Sequence, residues 1–132
     1  MIVLDTHIWV WWVNQSHALS AAKAQVLAAH VAEGLGVCAI SCWEIAKLVE
    51  KQRLVLSVPV AEWVQVALSY PGIVLLPLTP AIAVASTQLP QPFHKDPADQ
   101  LIVATARQLD CPLATDDAGM LAYPEVKLLW AV

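Results

Sequence analysis

MIVLDTH, residues 1–7, sets four apolar side chains in a row and then stops at a carboxylate. A run that is apolar at every position, rather than at alternate ones, suits a strand buried on both faces, and such strands belong to parallel sheets covered by helices. Met1 to Leu4 is therefore read as a first strand, with Asp5 just beyond its carboxyl end. The pattern recurs along the chain. GVCAI (36–40), GIVLLPL (72–78), residues 111–115 and VKLLW (126–130) read as further strands, with Pro77 limiting the pairing of the third. The intervening stretches read as helices: 8–13, apolar on all sides; 19–34, capped by Ser20 and stopped by Gly34; 41–52, opened by a Ser41–Glu44 capping box; 60–70, ended by Pro71-Gly72; 80–89; 97–109; and 116–121. Strands alternating with helices predict a three-layer α/β/α sandwich around a mainly parallel sheet of about five strands. The 132 residues suit one domain, 1–132.

Composition narrows the class. Hydrophobic residues make up 58% and charged residues 14%, which excludes a disordered chain. Cys38, Cys42 and Cys111 are odd in number and form no C-x-x-C pair, so they read as buried thiols in a reducing compartment. The start carries no basic n-region and is no signal peptide. Trp63 to Phe93 lacks any charge, yet Gly72 and five prolines interrupt it, so a soluble, cytoplasmic protein without a membrane span is expected. The net charge of −4 argues against a passive nucleic-acid binder, which would be basic. No G-x-x-x-x-G-K-[ST], G-x-G-x-x-G or G-x-S-x-G occurs, which speaks against nucleotide hydrolysis, dinucleotide binding and serine hydrolase chemistry.

The acids carry the chemistry. In open α/β sheets ligands gather at the carboxyl ends of the strands. Asp5 follows the first strand, Glu44 sits at the opening of the helix after the second, and Asp116 and Asp117 follow the fourth. In FHKDPADQLIVATARQ (93–108), Pro97 opens a helix that Asp96 caps, and Asp99 stands in its first turn. Each of these has an ordinary explanation as a cap or turn former, but six of the chain's eleven acids fall at one rim. Two carboxylates about 4 Å apart repel by roughly 4 kcal/mol at an effective dielectric near 20, so such a cluster takes up protons or a cation. Hard oxygen donors without a cysteine pattern favour Mg²⁺ or Mn²⁺ over zinc. Thr6, Ser41 and Thr115 are placed to orient carboxylates or water, or to cap helices. His7 and His94 are further candidates as ligands or acid–base groups, and Lys47, Lys95 and Arg107 as phosphate contacts.

This pattern resembles the PIN-domain ribonucleases, and within them the VapC-type toxins of toxin–antitoxin pairs. LDTHIWVWW looks like the family's opening strand and metal aspartate, ISCWEIAKL like its second acid on a helix, FHKDPADQLIVATA like its H-x-D-P-x-D segment, and LATDDAGM like its T-x-D motif. YPEVKLLW resembles the closing strand. The resemblance implies catalytic and metal-holding roles for Asp5, Glu44, Asp99 and Asp117, with Asp96 and Asp116 in support. It implies Mg²⁺- or Mn²⁺-dependent endonucleolytic cleavage of RNA, a homodimer, and a small antitoxin whose extended tail covers the groove. One departure stands out: where the family often has D-P-F-D-R, this chain has Ala98 and Gln100.

Trp9, Trp11 and Trp12 cannot all face one core, because neighbouring helical positions point apart, so an interface is expected. Two rival readings remain at this stage. A haloacid dehalogenase-type phosphatase would want a second aspartate where His7 stands. A non-catalytic PIN module binding RNA or a protein partner would have no need of all four acids.

Overall fold

A computed structural model describes residues 1–131. The sheet has four parallel strands, β1 (Ile2–Leu4), β2 (Leu35–Cys38), β3 (Ile73–Leu76) and β4 (Leu113–Ala114), in the order β3-β2-β1-β4. Seven helices accompany it: α1 (Thr6–Val13), α2 (Ala21–Ala29), α3 (Ala39–Glu50), α4 (Val60–Leu68), α5 (Pro80–Ala85), α6 (Pro97–Gln108) and α7 (Ala118–Leu121).

The two central strands are buried at every residue, as their unbroken apolar runs require. Successive side chains of a strand point to opposite faces, and the core divides accordingly. Ile2, Leu4, Leu35 and Val37 enter one cluster with Ile8, Trp9, Leu27, Ile45 and Trp63, whereas Val3 and Cys38 enter the other with Ile102, Val103, Ala106, Leu113 and Met120. That division makes three layers. Trp9 is the inward member of its tryptophan run, fully buried and edge-on to Trp63 at 5.2 Å, while Trp11 and Trp12 stay half-buried.

Several expected boundaries move. The expected fifth strand, 126–130, reduces to one parallel bridge, Leu113 with Leu128, held by backbone hydrogen bonds between Leu113 and both Lys127 and Leu129. The segment leaves the sheet where the Trp130 indole donates to the Thr115 carbonyl at 2.8 Å and to Asp116 Oδ1 at 3.1 Å. The helix expected over 19–34 ends at Ala29 and passes through a short 3-10 turn, Val31–Glu33, before Gly34. α3 begins at Ala39, two residues early, because β2 ends at Cys38 and the chain turns at once. Ser41 and Glu44 therefore form no capping box; both lie inside the helix and point elsewhere.

The topology decides where chemistry can sit. From β1 the chain moves outward to β2 and β3, and then returns through α5 and α6 to β4 on the other side of β1. The carboxyl ends of β1 and β4 thus flank the reversal, the place where an open α/β sheet leaves a crevice. α6 runs back toward the start of β4, so its first turn lies at that same rim.

Gly72 fixes the entry to β3. Its φ is +79°, and a Cβ there would lie 2.6 Å from the Val31 carbonyl oxygen, an atom of backbone that cannot rotate away. Gly72→Ala is expected to cost about 1–3 kcal/mol. Urea denaturation checks this: the midpoint falls with an unchanged slope, and an unchanged midpoint would show that β3 tolerates the strain.

Candidate active site

Asp5 caps α1, accepting the Thr6 N–H at 2.8 Å on Oδ1. Its other oxygen accepts from the Thr115 hydroxyl at 2.6 Å, and Thr115 in turn accepts the Asp117 N–H at 3.0 Å. Thr115 is fully buried and Asp5 is 3% exposed, so both oxygens are held in a fixed plane. Burial raises the Asp5 carboxyl above its ordinary value, opposed by His7 and by the hydrogen bonds from Thr115 and Thr6.

His7 follows one residue on. Its Nε2 accepts the Asp116 N–H at 3.1 Å, which leaves the ring proton on Nδ1, 3.4 Å from Asp5 Oδ2. The ring tilts against Trp11, with centroids 4.9 Å apart. His7 thus links the strand-end acid to the backbone after β4.

Glu44 reaches the rim from the first turns of α3. Its Oε1 lies 2.5 Å from the Thr6 hydroxyl, which is also 2.8 Å from the Ser41 hydroxyl. With one proton, Thr6 can donate to only one of them at a time. Ser41 is fully buried, so the premature start of α3 turns a supposed cap into a support for the Thr6–Glu44 contact. Burial raises the Glu44 carboxyl, with Asp5 and Asp96 adding repulsion.

Asp96 caps α6, accepting the Asp99 N–H at 3.1 Å. That leaves the Asp99 carboxylate free of capping duty. Its Oδ2 faces His94 Nε2 at 3.3 Å, and the same imidazole nitrogen is 3.8 Å from Asp117 Oδ2. Burial pushes the Asp99 carboxyl up to about 8, with Asp5, Asp96, Glu44 and Asp117 adding repulsion in that order. Asp117 caps α7 through Met120 N–H at 3.0 Å, on the oxygen that faces His94.

Two sets of donor atoms lie close enough to share a cation: His94, Asp99 and Asp117, and Glu44, Asp96 and Asp99, each within 4.8 Å of one another. Asp99 is common to both. Asp5 stands behind them, its oxygens engaged with Thr6 and Thr115. The chamber holds about 180 Å³ and brings Asp5, Thr6, His7, Glu44, Asp99 and Asp117 against apolar walls at Val10, Trp11 and Leu48. Those walls supply the desolvation that raises the carboxyls. Converging carboxylates with one imidazole at their edge suit a divalent cation.

Other expected residues go elsewhere. Asp116 binds Lys23 Nζ at 2.6 Å and the Trp130 indole, so its side chain ties α2 to the C-terminal segment. Arg107, at the far end of α6, donates to the Glu125 carbonyl. Lys47 pairs with Glu50 at 2.9 Å on the surface, and Lys95 is exposed beside the α6 cap. Gln100, in place of the family's basic residue, donates to the His94 carbonyl at 3.1 Å and so holds the His94 segment against α6. Sequence reading missed Arg53, which lines the acidic chamber from the segment after α3. No periodic pattern marks it, because its place depends on how that segment folds back.

Comparison with known proteins gives the context. The PIN domain family model matches residues 2–126. Ribonuclease VapC22 of Mycobacterium tuberculosis (strain ATCC 25618 / H37Rv) is 35% identical over 131 residues, 98% of each chain. Two toxin–antitoxin structures share the fold: VapBC2 of Rickettsia felis bound to a promoter DNA fragment, with TM-score 0.67, 16% identity and 97% of each chain covered, and a complex from Klebsiella pneumoniae, with TM-score 0.64, 18% identity and 100% of each covered.

The placement of Asp99 generates a test. A carboxyl raised in the folded state binds a proton that the unfolded state releases, so in chelator it lowers stability as pH climbs from about 4 to about 8. Asp99→Asn removes that loss. Its gain over wild type in thermal melts should be absent near pH 4, grow toward pH 8 and then level at roughly 1 kcal/mol, a screened part of the ~4 kcal/mol for a close pair. The variant should also lose most of the stabilisation that millimolar Mg²⁺ or Mn²⁺ gives wild type. Lower stability at all pH values with an intact metal response would reduce Asp99 to a helix-start charge.

Proposed function

This chain belongs to the PIN-domain family, and from that premise we propose that it is a metal-dependent endoribonuclease, the toxin of a toxin–antitoxin pair, with residues 1–132 as its single nuclease domain. The observation that carries the reading is the group of carboxylates converging on Asp99, whose own carboxyl is held near 8. A full-length relative named as a ribonuclease supports the substrate class, and the toxin–antitoxin neighbours support a protein partner.

Asp99, Glu44 and Asp117, with Asp5 behind them, would hold Mg²⁺ or Mn²⁺. When bound, the cation offsets their mutual repulsion, draws a phosphate oxygen of RNA and lowers the pKa of an attacking water. The side chains around it keep the acids aimed. Thr115 donates to Asp5 and receives the Asp117 N–H, coupling the orientation of two acids on different elements. Thr6 and Ser41 hold Glu44, and Asp96 fixes the first turn of α6 and with it Asp99. Such a hydrolysis needs no protein nucleophile, which fits the absence of any serine- or cysteine-based triad among the residues lining the chamber.

A homodimer and a small antitoxin complete the reading. Trp11 and Trp12 line an apolar groove of about 430 Å³ with Leu19, Val31 and Tyr70, at the edge of the core that α1 shares with α2 and α4, and this supports a partner that buries them. Among the described residues no helix is long and apolar enough to cross a membrane, and a cytoplasmic site of action suits a protein that cuts cellular RNA.

Expression of the chain alone should arrest growth, and Asp5→Asn should relieve the arrest while circular dichroism still reports a folded protein. Sequencing the 5′ ends of RNA after induction should show new cuts that the variant lacks. Equal toxicity of the folded variant would remove Asp5 from the mechanism. Light scattering at micromolar concentration should give the mass of two chains, and a monomer mass would defeat the dimer.

A further inference from the structure

The acidic chamber adjoins a second groove of about 230 Å³, with which it shares Glu44, Leu48 and Arg53. One wall of this groove is the outer face of α3. Trp43, Lys47 and Lys51 follow one another at intervals of four residues, so they stand in a row along that face, spanning about 12 Å.

Trp43 is 54% exposed, whereas the other five tryptophans are buried or half-buried. Nothing in either core calls for an indole there. The cations beside it are also distinctive in a chain with only seven Lys and Arg. Lys23, Arg107 and Lys127 are engaged far from this face by Asp116, Glu125 and Asp110. Among the described residues, Lys51 and Arg53 have no carboxylate within 4 Å, and Lys47 meets only Glu50 in an exposed pair that contributes little and exchanges readily. Of the four cations not held by those acids, Lys47, Lys51 and Arg53 thus border this groove, and the fourth, Lys95, is exposed beside the cap of α6.

An open aromatic face beside a file of cations binds single-stranded nucleic acid: a base stacks on the ring while phosphates meet the charges. A base-paired stem offers no free base face to stack. Resting on the ribonuclease reading above, we infer that this groove carries single-stranded RNA into the acidic site, with Trp43 stacking on a base next to the cut and Lys47, Lys51 and Arg53 contacting its phosphates. Arg53, which borders both grooves, is the contact nearest the scissile phosphate. The track selects strandedness rather than sequence.

The test is fluorescence anisotropy with a labelled single-stranded RNA of about 12 nucleotides, within the usual footprint of such tracks, in chelator and at low salt so that nothing is cut. Trp43→Ala should weaken binding about 5- to 150-fold, the range covered by one stacked base, while Trp43→Phe keeps most of the affinity. The triple variant Lys47→Gln, Lys51→Gln, Arg53→Gln should flatten the slope of log affinity against log salt by about 2, from about 0.7 for each cation lost. A duplex RNA of equal length should bind with no dependence on Trp43. Wild-type affinity in Trp43→Ala overturns the inference; if that variant also drops to half the mass in light scattering, the face belongs to a second copy of the chain. RNA cleavage by wild type with unchanged binding in the variants sinks the groove and leaves the ribonuclease. Trp43-dependent binding by a chain that never cuts RNA sinks the ribonuclease and leaves the groove.

Discussion

Carboxylates brought together at the end of a parallel sheet repel one another, and the surrounding structure is arranged to bear that repulsion. The site is half-closed by Val10, Trp11 and Leu48, so water cannot fully screen the charges. Burial is the largest influence on Asp5, Glu44 and Asp99 alike, and it acts in the same direction on each. What keeps such a set from splaying apart is a group of buried hydroxyls. Thr6, Ser41 and Thr115 are 5% exposed or less, and each lies within hydrogen-bond reach of an acid or of another hydroxyl that is.

The hydroxyls are useful because of where the strands end. Thr6 and Asp5 leave β1, Ser41 and Glu44 follow β2, and Thr115 and Asp117 follow β4, so hydroxyl and acid arrive together from three neighbouring elements. The two cores make those arrivals rigid. Because Ile2 and Leu4 face one layer and Val3 the other, β1 is clamped from both sides, and Asp5 inherits its position from that clamp. The geometry of the acidic rim is a consequence of parallel-strand packing.

Charge is used sparingly elsewhere. Lys23 and Trp130 hold Asp116 away from the chamber, with the ammonium 5.2 Å from the indole centroid, which removes one negative charge from an already crowded rim. The cations on α3 and just beyond its end set the opposite sign beside the acids without neutralising them, because Lys51 and Arg53 remain more than 4 Å from any carboxylate among the described residues. A polyanion approaching along this face therefore meets cations before it meets the acids.

The sequence by itself determined the layers and the acids. Unbroken apolar runs suit strands buried between two helical layers, and a charge that ends such a run emerges at the sheet's rim; Asp5 and Asp117 follow from that rule, Glu44 and Asp99 from helix starts at the same rim, and the choice of these four among six acids from the family resemblance. Caps were also legible where the motif is local, as at Ser20 and Asp96, whose side chains bond to N–H groups three residues on. Ser41 was misread because Ser-x-x-Glu looks the same whether it starts a helix or lies inside one, and only the end of β2 at Cys38 decides which. The fifth strand was misread for a similar reason, since VKLLW is apolar enough to pair but the Trp130 indole draws it out of the sheet. The T-x-D resemblance favoured Asp117 over its neighbour Asp116, and it is Lys23, 93 residues away, that holds the Asp116 side chain elsewhere. Local patterns fix what each segment can be. Contacts between segments distant in the chain fix which carboxylates face one another, because distance and burial, and hence repulsion and proton affinity, exist only once the chain has closed on itself.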